Sequence, residues 1–238
     1  PFQPTMKRSW DHARALAATD SGAHDSATGD AIIVDEHSYH SPEWFAYQAS
    51  RFDAYPRCGA GVYFGEYSAN GYFAGQPQTE QGANTWKSAL GEAAFLTGCE
   101  RNSDVVRMTS YAPLLAHIPA KGWAQNLIEL NPAHVNPTVN YEVERLFSTH
   151  LGDTTYAVSI EQTASRPAKH LYVSATGHDG DDACRYIKIV NTSDSPVDVT
   201  LEIARGLAGL GASPSRPVRL EVTTLSASPT AKTTIGYR

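Results

Sequence analysis

Gly61-Val62-Tyr63-Phe64-Gly65-Glu66-Tyr67-Ser68 is an apolar, strand-like run that ends in a single carboxylate followed by polar and small residues. A strand of a parallel barrel has this grammar: alternate positions pack the core, and ionisable groups stand where the strand gives way to a loop at the C-terminal mouth. Read at period two, Val62, Phe64 and Glu66 fall on one face, so two apolar side chains lead up to one acid. A lone Glu at a strand end is more often simply solvated, so the flanking segments decide its meaning.

Upstream, a helical pattern over Trp10–Ala18 and a polar loop over Asp20–Gly29 precede a short buried strand, Ala31–Val34, which ends in Asp35-Glu36-His37-Ser38-Tyr39. Ser41-Pro42-Glu43-Trp44 reads as an N-cap, a first-position proline and an acidic first turn, and predicts a helix over Pro42–Tyr55. Downstream of Glu66, Thr85–Gly98 carries Leu90, Ala94 and Phe95 at helical spacing, and Val105-Val106-Arg107-Met108 is a third short strand. Strand, helix, strand, helix, strand at these lengths predicts successive βα units around a parallel sheet, with one more helix over Asn140–Thr149. Past Gly152 the pattern changes to short β-branched runs, Tyr156–Glu161, Leu171–Ala175, Arg185–Val190, Val197–Ile203 and Val218–Thr224, each bounded by turn residues. Strands without intervening helices predict an antiparallel sandwich. The expected organisation is therefore a partial (β/α)8 catalytic barrel over residues 1–152 and a C-terminal β-sandwich over 153–238.

A net charge of −6, with 19 Lys and Arg spread along 238 residues, leaves no basic stripe and excludes nucleic acid as an expected partner. No apolar run approaches the roughly 20 residues of a membrane-spanning helix, so no membrane partner is expected. Cys58, Cys99 and Cys184 lack the paired spacing of a zinc site or disulfide framework, and are expected to be buried small hydrophobes. The N-terminus carries neither an initiator Met nor a signal peptide, which predicts that position 1 is not where the natural product begins.

Three strand ends, Asp35–Tyr39, Glu66–Ser68 and Thr109–Tyr111, would lie side by side in a parallel sheet. Along the first of them Asp35, His37 and Tyr39 share one face and Glu36 points away, so His37 and Tyr39 are placed to approach Glu66. Each taken alone has an ordinary structural reading, a hydrogen-bonded histidine and a packed tyrosine. His37 and His40 have metal-like spacing only in a helix, and at a strand end they make no zinc case.

These residues carry a resemblance. Val34-Asp35-Glu36-His37-Ser38-Tyr39 with Ser41-Pro42-Glu43-Trp44-Phe45 resembles the sixth-strand region of the α-L-arabinofuranosidases of glycoside hydrolase family 51. Phe64-Gly65-Glu66-Tyr67 is similar to that family's seventh strand. The runs Ala93–Gly98, Glu100–Val106 and Thr109–Leu115 resemble the segment through strand eight. Asn140–Val143 with Leu146–Ser148 resembles the last barrel helix, and Ile187–Asn191 a strand of the C-terminal β-domain. Lys121–Leu130 follows the family only loosely.

The resemblance implies a C-terminal fragment holding about barrel strands six to eight and the β-domain. It implies retaining exo-hydrolysis of terminal α-L-arabinofuranosyl units from arabinan, arabinoxylan or arabino-oligosaccharides, with Glu66 as nucleophile. His37, Tyr39, Asn102 and Tyr111 are the implied substrate-binding candidates, although Asn102 has a structural reading in the turn before strand eight and Tyr111 one under the rim. No cofactor is implied, because carboxylates supply acid, base and nucleophile. The acid/base, a Glu on strand four, is expected upstream of residue 1, so the fragment alone is expected to be inactive, and a homo-oligomer stays open for the intact protein. The competing readings are an inactive carbohydrate-binding fragment and another retaining glycosidase of the same clan.

Overall fold

A computed structural model of the chain describes residues 33–57, 60–70, 79, 82–161, 170–178, 184–203 and 219–233. The expected helix Trp10–Ala18, the loop after it and Cys58 lie outside the described residues.

Three consecutive parallel strands, β1 (Ile33–His40), β2 (Gly61–Ala69) and β3 (Val106–Tyr111), form a sheet in the order β1-β2-β3. Between β1 and β2 lies α1 (Pro42–Tyr47), whose N-terminus is capped by Ser41 Oγ accepting from Trp44 N–H at 3.3 Å. It is shorter than its sequence predicts: a 3-10 turn follows over Gln48–Ser50, and the chain then folds back. Packing overrides propensity here. Phe52 must leave the helical path to stack against Phe64 and Phe95, with ring centroids 6.2 and 6.0 Å away. Helix α2 (Trp86–Arg101), capped by Thr85, joins β2 to β3. It runs past the expected stop at Gly98, because that glycine serves a close crossing: a Cβ there would lie 2.0 Å from the Ala49 carbonyl oxygen.

Phe45, Phe52, Val62, Phe64, Tyr67 and Phe95 fill the layer between sheet and helices. Each fully buried aromatic or aliphatic side chain contributes about 1.5–3 kcal/mol through apolar burial.

The face on which Glu66 sits differs from the period-two reading. Asp35 pairs with Tyr63 and His37 with Glu66, so β2 spends three steps where β1 spends two; likewise Phe64 pairs with Thr109 and Tyr67 with Tyr111. Around Gly65-Glu66 β2 therefore carries one extra residue relative to both neighbours, a bulge, whereas nearer its start β3 carries one relative to β2, between Val106 and Met108. Val62 and Phe64 face the helices, as do Tyr67 and Ala69 beyond the bulge, whereas Glu66 emerges on the opposite face.

A second sheet of three-residue strands, β4 (Leu115–His117), β5 (Ile128–Leu130) and β6 (Val135–Pro137), was not legible in the sequence; segments this short show no period. Helix α3 (Val139–Thr149), capped by Thr138, follows it. A third sheet pairs β7 (Thr154–Thr155), β8 (Leu171–His178) and β9 (Cys184–Asn191) antiparallel. It accounts for two of the expected C-terminal strands. Among the described residues Tyr156–Glu161, Val197–Ile203 and 219–224 form no strand; Tyr156 N–H donates to the Ala175 carbonyl at 2.8 Å but no ladder continues from it, and a second layer of a sandwich is not described. The β8–β9 hairpin docks on α2. Lys188 Nζ donates to Glu100 Oε1 and, at 2.8 Å, to the His150 carbonyl, while Ser174 Oγ donates to Glu100 Oε2 at 2.6 Å. Cys99 is buried as expected, but Cys184 is exposed at the start of an outer strand.

Candidate active site

Glu66 reaches its position because Gly65 beside it has no side chain. A Cβ on Gly65 would lie 2.1 Å from Asp35 Oδ1 and 3.1 Å from Tyr63 Cε1, so any larger residue would force the Asp35 and Tyr63 side chains aside. The side chain of Glu66 keeps 44% of its surface exposed. Its Oε2 accepts from the Tyr39 hydroxyl and lies 3.4 Å from His37 Nδ1. Among the described residues nothing bonds Oε1, so one oxygen is held and the other is open. The far nitrogen of His37, Nε2, stands 3.0 Å from Asp35 Oδ2, so the imidazole lies between two carboxylates. It can donate to one of them when neutral and to both when protonated.

Tyr39 is nearly buried, 4% exposed, with its ring edge-on to Trp123 at 5.0 Å between centroids. Burial, and then the Glu66 carboxylate, push the phenol far above its ordinary range, so it remains a proton donor at any working pH. On the same face Ser110 Oγ donates to the Gly65 carbonyl at 2.6 Å and shares a 2.7 Å hydrogen bond with the Tyr63 hydroxyl, which ties the bulge to β3. Glu36 points the other way, as its parity predicts. It is buried against Arg51 Nη2 at 2.6 Å and Tyr55 at 3.3 Å, and burial raises its pKa despite the arginine.

His37 and Tyr39 are thus brought to Glu66; Tyr111 and Asn102 are not. Tyr111 lies on the helix side of β3, its ring 5.5 Å from that of Tyr67, and its hydroxyl donates to the buried Glu92 at 3.2 Å and accepts from Gln125 at 2.7 Å. Asn102 caps the C-terminus of α2, before β3 begins, at the end of the sheet away from Glu66. Its amide donates to Asp53 and to the Gly98 carbonyl, each at 2.8 Å, and its oxygen accepts from Arg57. Among the described residues no group of three His, Cys, Asp or Glu side chains is arranged to hold a metal ion.

A protein-family model described as the alpha-L-arabinofuranosidase C-terminal domain matches residues 61–236. The chain belongs to this family. It is similar to an extracellular exo-alpha-L-arabinofuranosidase of Streptomyces chartreusis, 44% identical over 51% of this chain and 13% of that protein. It is also similar to a probable alpha-L-arabinofuranosidase A of Aspergillus oryzae, 30% identical over 87% of this chain and 31% of that protein. Among solved structures, an arabinose-bound family 51 α-L-arabinofuranosidase superposes with a TM-score of 0.60 at 32% identity, over 68% of this chain and 26% of that one. The chain therefore spans a third or less of the length of these relatives.

Within this arabinofuranosidase C-terminal region the residues that sequence reasoning passed over are Gly65, Ser110 and Trp123. The signal for Gly65 was its place beside the only acid of the strand. Trp123 lies in a segment with no regular period, and only the fold brings it against Tyr39.

Proposed function

We propose that this arabinofuranosidase region supplies the nucleophile, Glu66, for retaining hydrolysis of terminal non-reducing α-L-arabinofuranosyl residues in arabinan, arabinoxylan or arabino-oligosaccharides. The observation that carries the reading is the asymmetric carboxylate: Oε2 is held by Tyr39 and faced by His37, while Oε1 is open toward solvent at the end of a parallel strand. Oε1 attacks the anomeric carbon as the glycosidic bond breaks, and the leaving oxygen takes a proton from a second carboxyl group. Water then adds to the same carbon, gives its proton to that second group, and releases the Glu66 carboxylate.

Retaining pairs stand about 5–5.5 Å apart. We assign the partner carboxyl to a part of the arabinofuranosidase outside these 238 residues, a view supported by the relatives' greater length. In the same reading residues 1–152 belong to a (β/α)8 barrel and 153–238 to a β-sandwich, which the three parallel strands and the antiparallel hairpin support. Tyr39 orients the nucleophile by a hydrogen bond without a change of charge, and His37 lines the pocket. Asn102 and Tyr111 act only through the scaffold. The reaction as written needs no cofactor.

The test is arabinose release from 4-nitrophenyl α-L-arabinofuranoside by the natural-length protein, by the 238-residue chain, and by the Glu66→Gln version of each. Activity confined to the natural-length protein, and lowered by at least about a thousand-fold in Glu66→Gln, is the expected result. A Glu66→Gln enzyme as active as its parent would remove Glu66 from the reaction.

A further inference from the structure

One buried acid takes no part in the reaction above. Glu92, on α2, has no exposed surface. Its Oε1 accepts from the Ala69 backbone N–H at 2.8 Å and from the Tyr111 hydroxyl at 3.2 Å, and its Oε2 accepts from Asn140 Nδ2 at 2.6 Å. Ala69 closes β2 three residues after Glu66, Tyr111 closes β3, and Asn140 lies in the first turn of α3. One carboxyl therefore joins the ends of two strands to two helices. From Tyr111 the connection continues: Gln125 Nε2 donates to its hydroxyl at 2.7 Å, and Gln125 Oε1 accepts from Asn84 N–H at 2.6 Å. Asn126 Nδ2 donates to the Trp123 carbonyl at 2.7 Å, and the Trp123 ring meets Tyr39.

We propose that Glu92 is a positioning residue for Glu66, fixing the end of the strand that carries it and, through Tyr111 and Gln125, the loop whose Trp123 backs Tyr39. This rests on the arabinofuranosidase reading above. An apolar side chain in the same space would leave the buried Ala69 N–H and Tyr111 hydroxyl without an acceptor, and the Asn140 amide with only Ser88 Oγ, at 2.9 Å, for its two hydrogens. A carboxyl with its two oxygens satisfies all three. The titratable groups that face it are Tyr67 from β2, Tyr111 from β3 and Glu144 from α3. None of them is a cation, so geometry rather than ion pairing defines its place.

The experiment is Glu92→Gln in the natural-length protein, assayed with 4-nitrophenyl α-L-arabinofuranoside beside the parent, Glu66→Gln and the double exchange Glu92→Gln/Asn140→Asp. In the single variant an amide NH2 confronts the Asn140 NH2; in the double variant a donor again faces an acceptor. The expected result is a fall in kcat of roughly ten- to a hundred-fold with KM within about two-fold, at unchanged circular dichroism, and recovery of most of the loss in the double exchange. A folded Glu92→Gln enzyme with the parent's kcat overturns the proposal, as does a loss explained wholly by a smaller folded fraction. Should Glu92→Gln fail to fold, Tyr111→Phe cuts the hydroxyl link alone, and an unchanged kcat there overturns the proposal equally. An inactive parent, or a fully active Glu66→Gln, would bring down the arabinofuranosidase reading and this inference with it. An active parent with an inert Glu66→Gln and an unaffected Glu92→Gln removes the positioning role only.

Discussion

The phenol of Tyr39 on β1 donates to Oε2 of Glu66 on β2, across two neighbouring parallel strands in which His37 is the register partner of Glu66. The hydrogen bond therefore rests on strand register and not on a mobile loop. Replacing Tyr39 by Phe keeps the ring against Trp123 and deletes only the hydroxyl. We expect kcat on an arabinofuranoside to fall about ten-fold or more, since in the proposed reaction a Glu66 carboxylate free to rotate loses its attack geometry. The melting temperature should change little, because removing a single partly exposed hydrogen bond costs about 0.5–1.5 kcal/mol. Steady-state kinetics beside a melting curve checks both, and a kcat equal to the parent's would leave Tyr39 with a packing role alone.

Gly65→Ala tests the bulge. The new Cβ would meet Asp35 Oδ1 at 2.1 Å, so Asp35 must turn away and release His37 Nε2. Asp35 is half exposed and can rotate, so the cost falls at the low end of overpacking, about 1 kcal/mol. A lowered urea midpoint together with reduced activity is the expected outcome; a variant equal to the parent in both would mean that β1 yields without strain.

The hairpin clamp makes a separate prediction about stability. Lys188 and Glu100 are largely buried, with side chains 12% and 10% exposed, and Glu100 also accepts from Ser174. Lys188→Met leaves that carboxylate without its cation, and breaking a buried pair from one side costs about 3–5 kcal/mol. The double variant Lys188→Met/Glu100→Met should recover much of the loss, because it buries no unpaired charge. A thermal denaturation series over the three proteins measures it, and a Lys188→Met protein as stable as the parent would show the clamp to be incidental.

Stability should also depend on pH through Glu92. Burial, and then the Glu144 carboxylate, raise its pKa from 4.5 to about 8, against the hydrogen bonds that favour the anion. Between these two values the folded chain keeps a proton that the unfolded chain has released, so unfolding becomes easier as pH rises through this window. The contribution is fully present below 4.5 and lost above about 8. Glu92→Gln, which cannot ionise, should show a flatter melting temperature between about pH 5 and 8 than its parent, read by differential scanning fluorimetry in matched buffers. Equal slopes in the two proteins would mean that Glu92 is already ionised in the fold at neutral pH.

The contrast between well-read and misread segments has a physical basis. Helix α2 was legible because Thr85 caps it and Ala94 and Phe95 repeat at its spacing, and the N-terminus of α1 was legible from Ser41 and Pro42. Its end was not, because the departure of Phe52 is decided by aromatic partners on β2 and α2, remote in sequence. Gly98 looked like a stop signal, yet its meaning is the closeness of Ala49. Pairing of Glu66 with His37 and Tyr39 could be foreseen from alternation along β1. The face of Tyr111 could not, since it is fixed by an irregularity in how β2 and β3 pair. Val197, Val199, Leu201 and Ile203 alternate as a strand should, but alternation names a face and not a partner.

The single extra residue in β2 splices two amphipathic half-strands of opposite phase. Before it, even-numbered side chains face the helices; after it, odd-numbered ones do. Without Gly65 the strand would alternate plainly, Val62, Phe64, Tyr67 and Ala69 still facing the helices and Glu66 and Ser68 still facing away. The aromatic layer is therefore indifferent to the extra residue, and what that residue changes is the local twist that aims Glu66. The strand carries an irregularity its packing does not need, at the one point where a carboxylate has to be aimed.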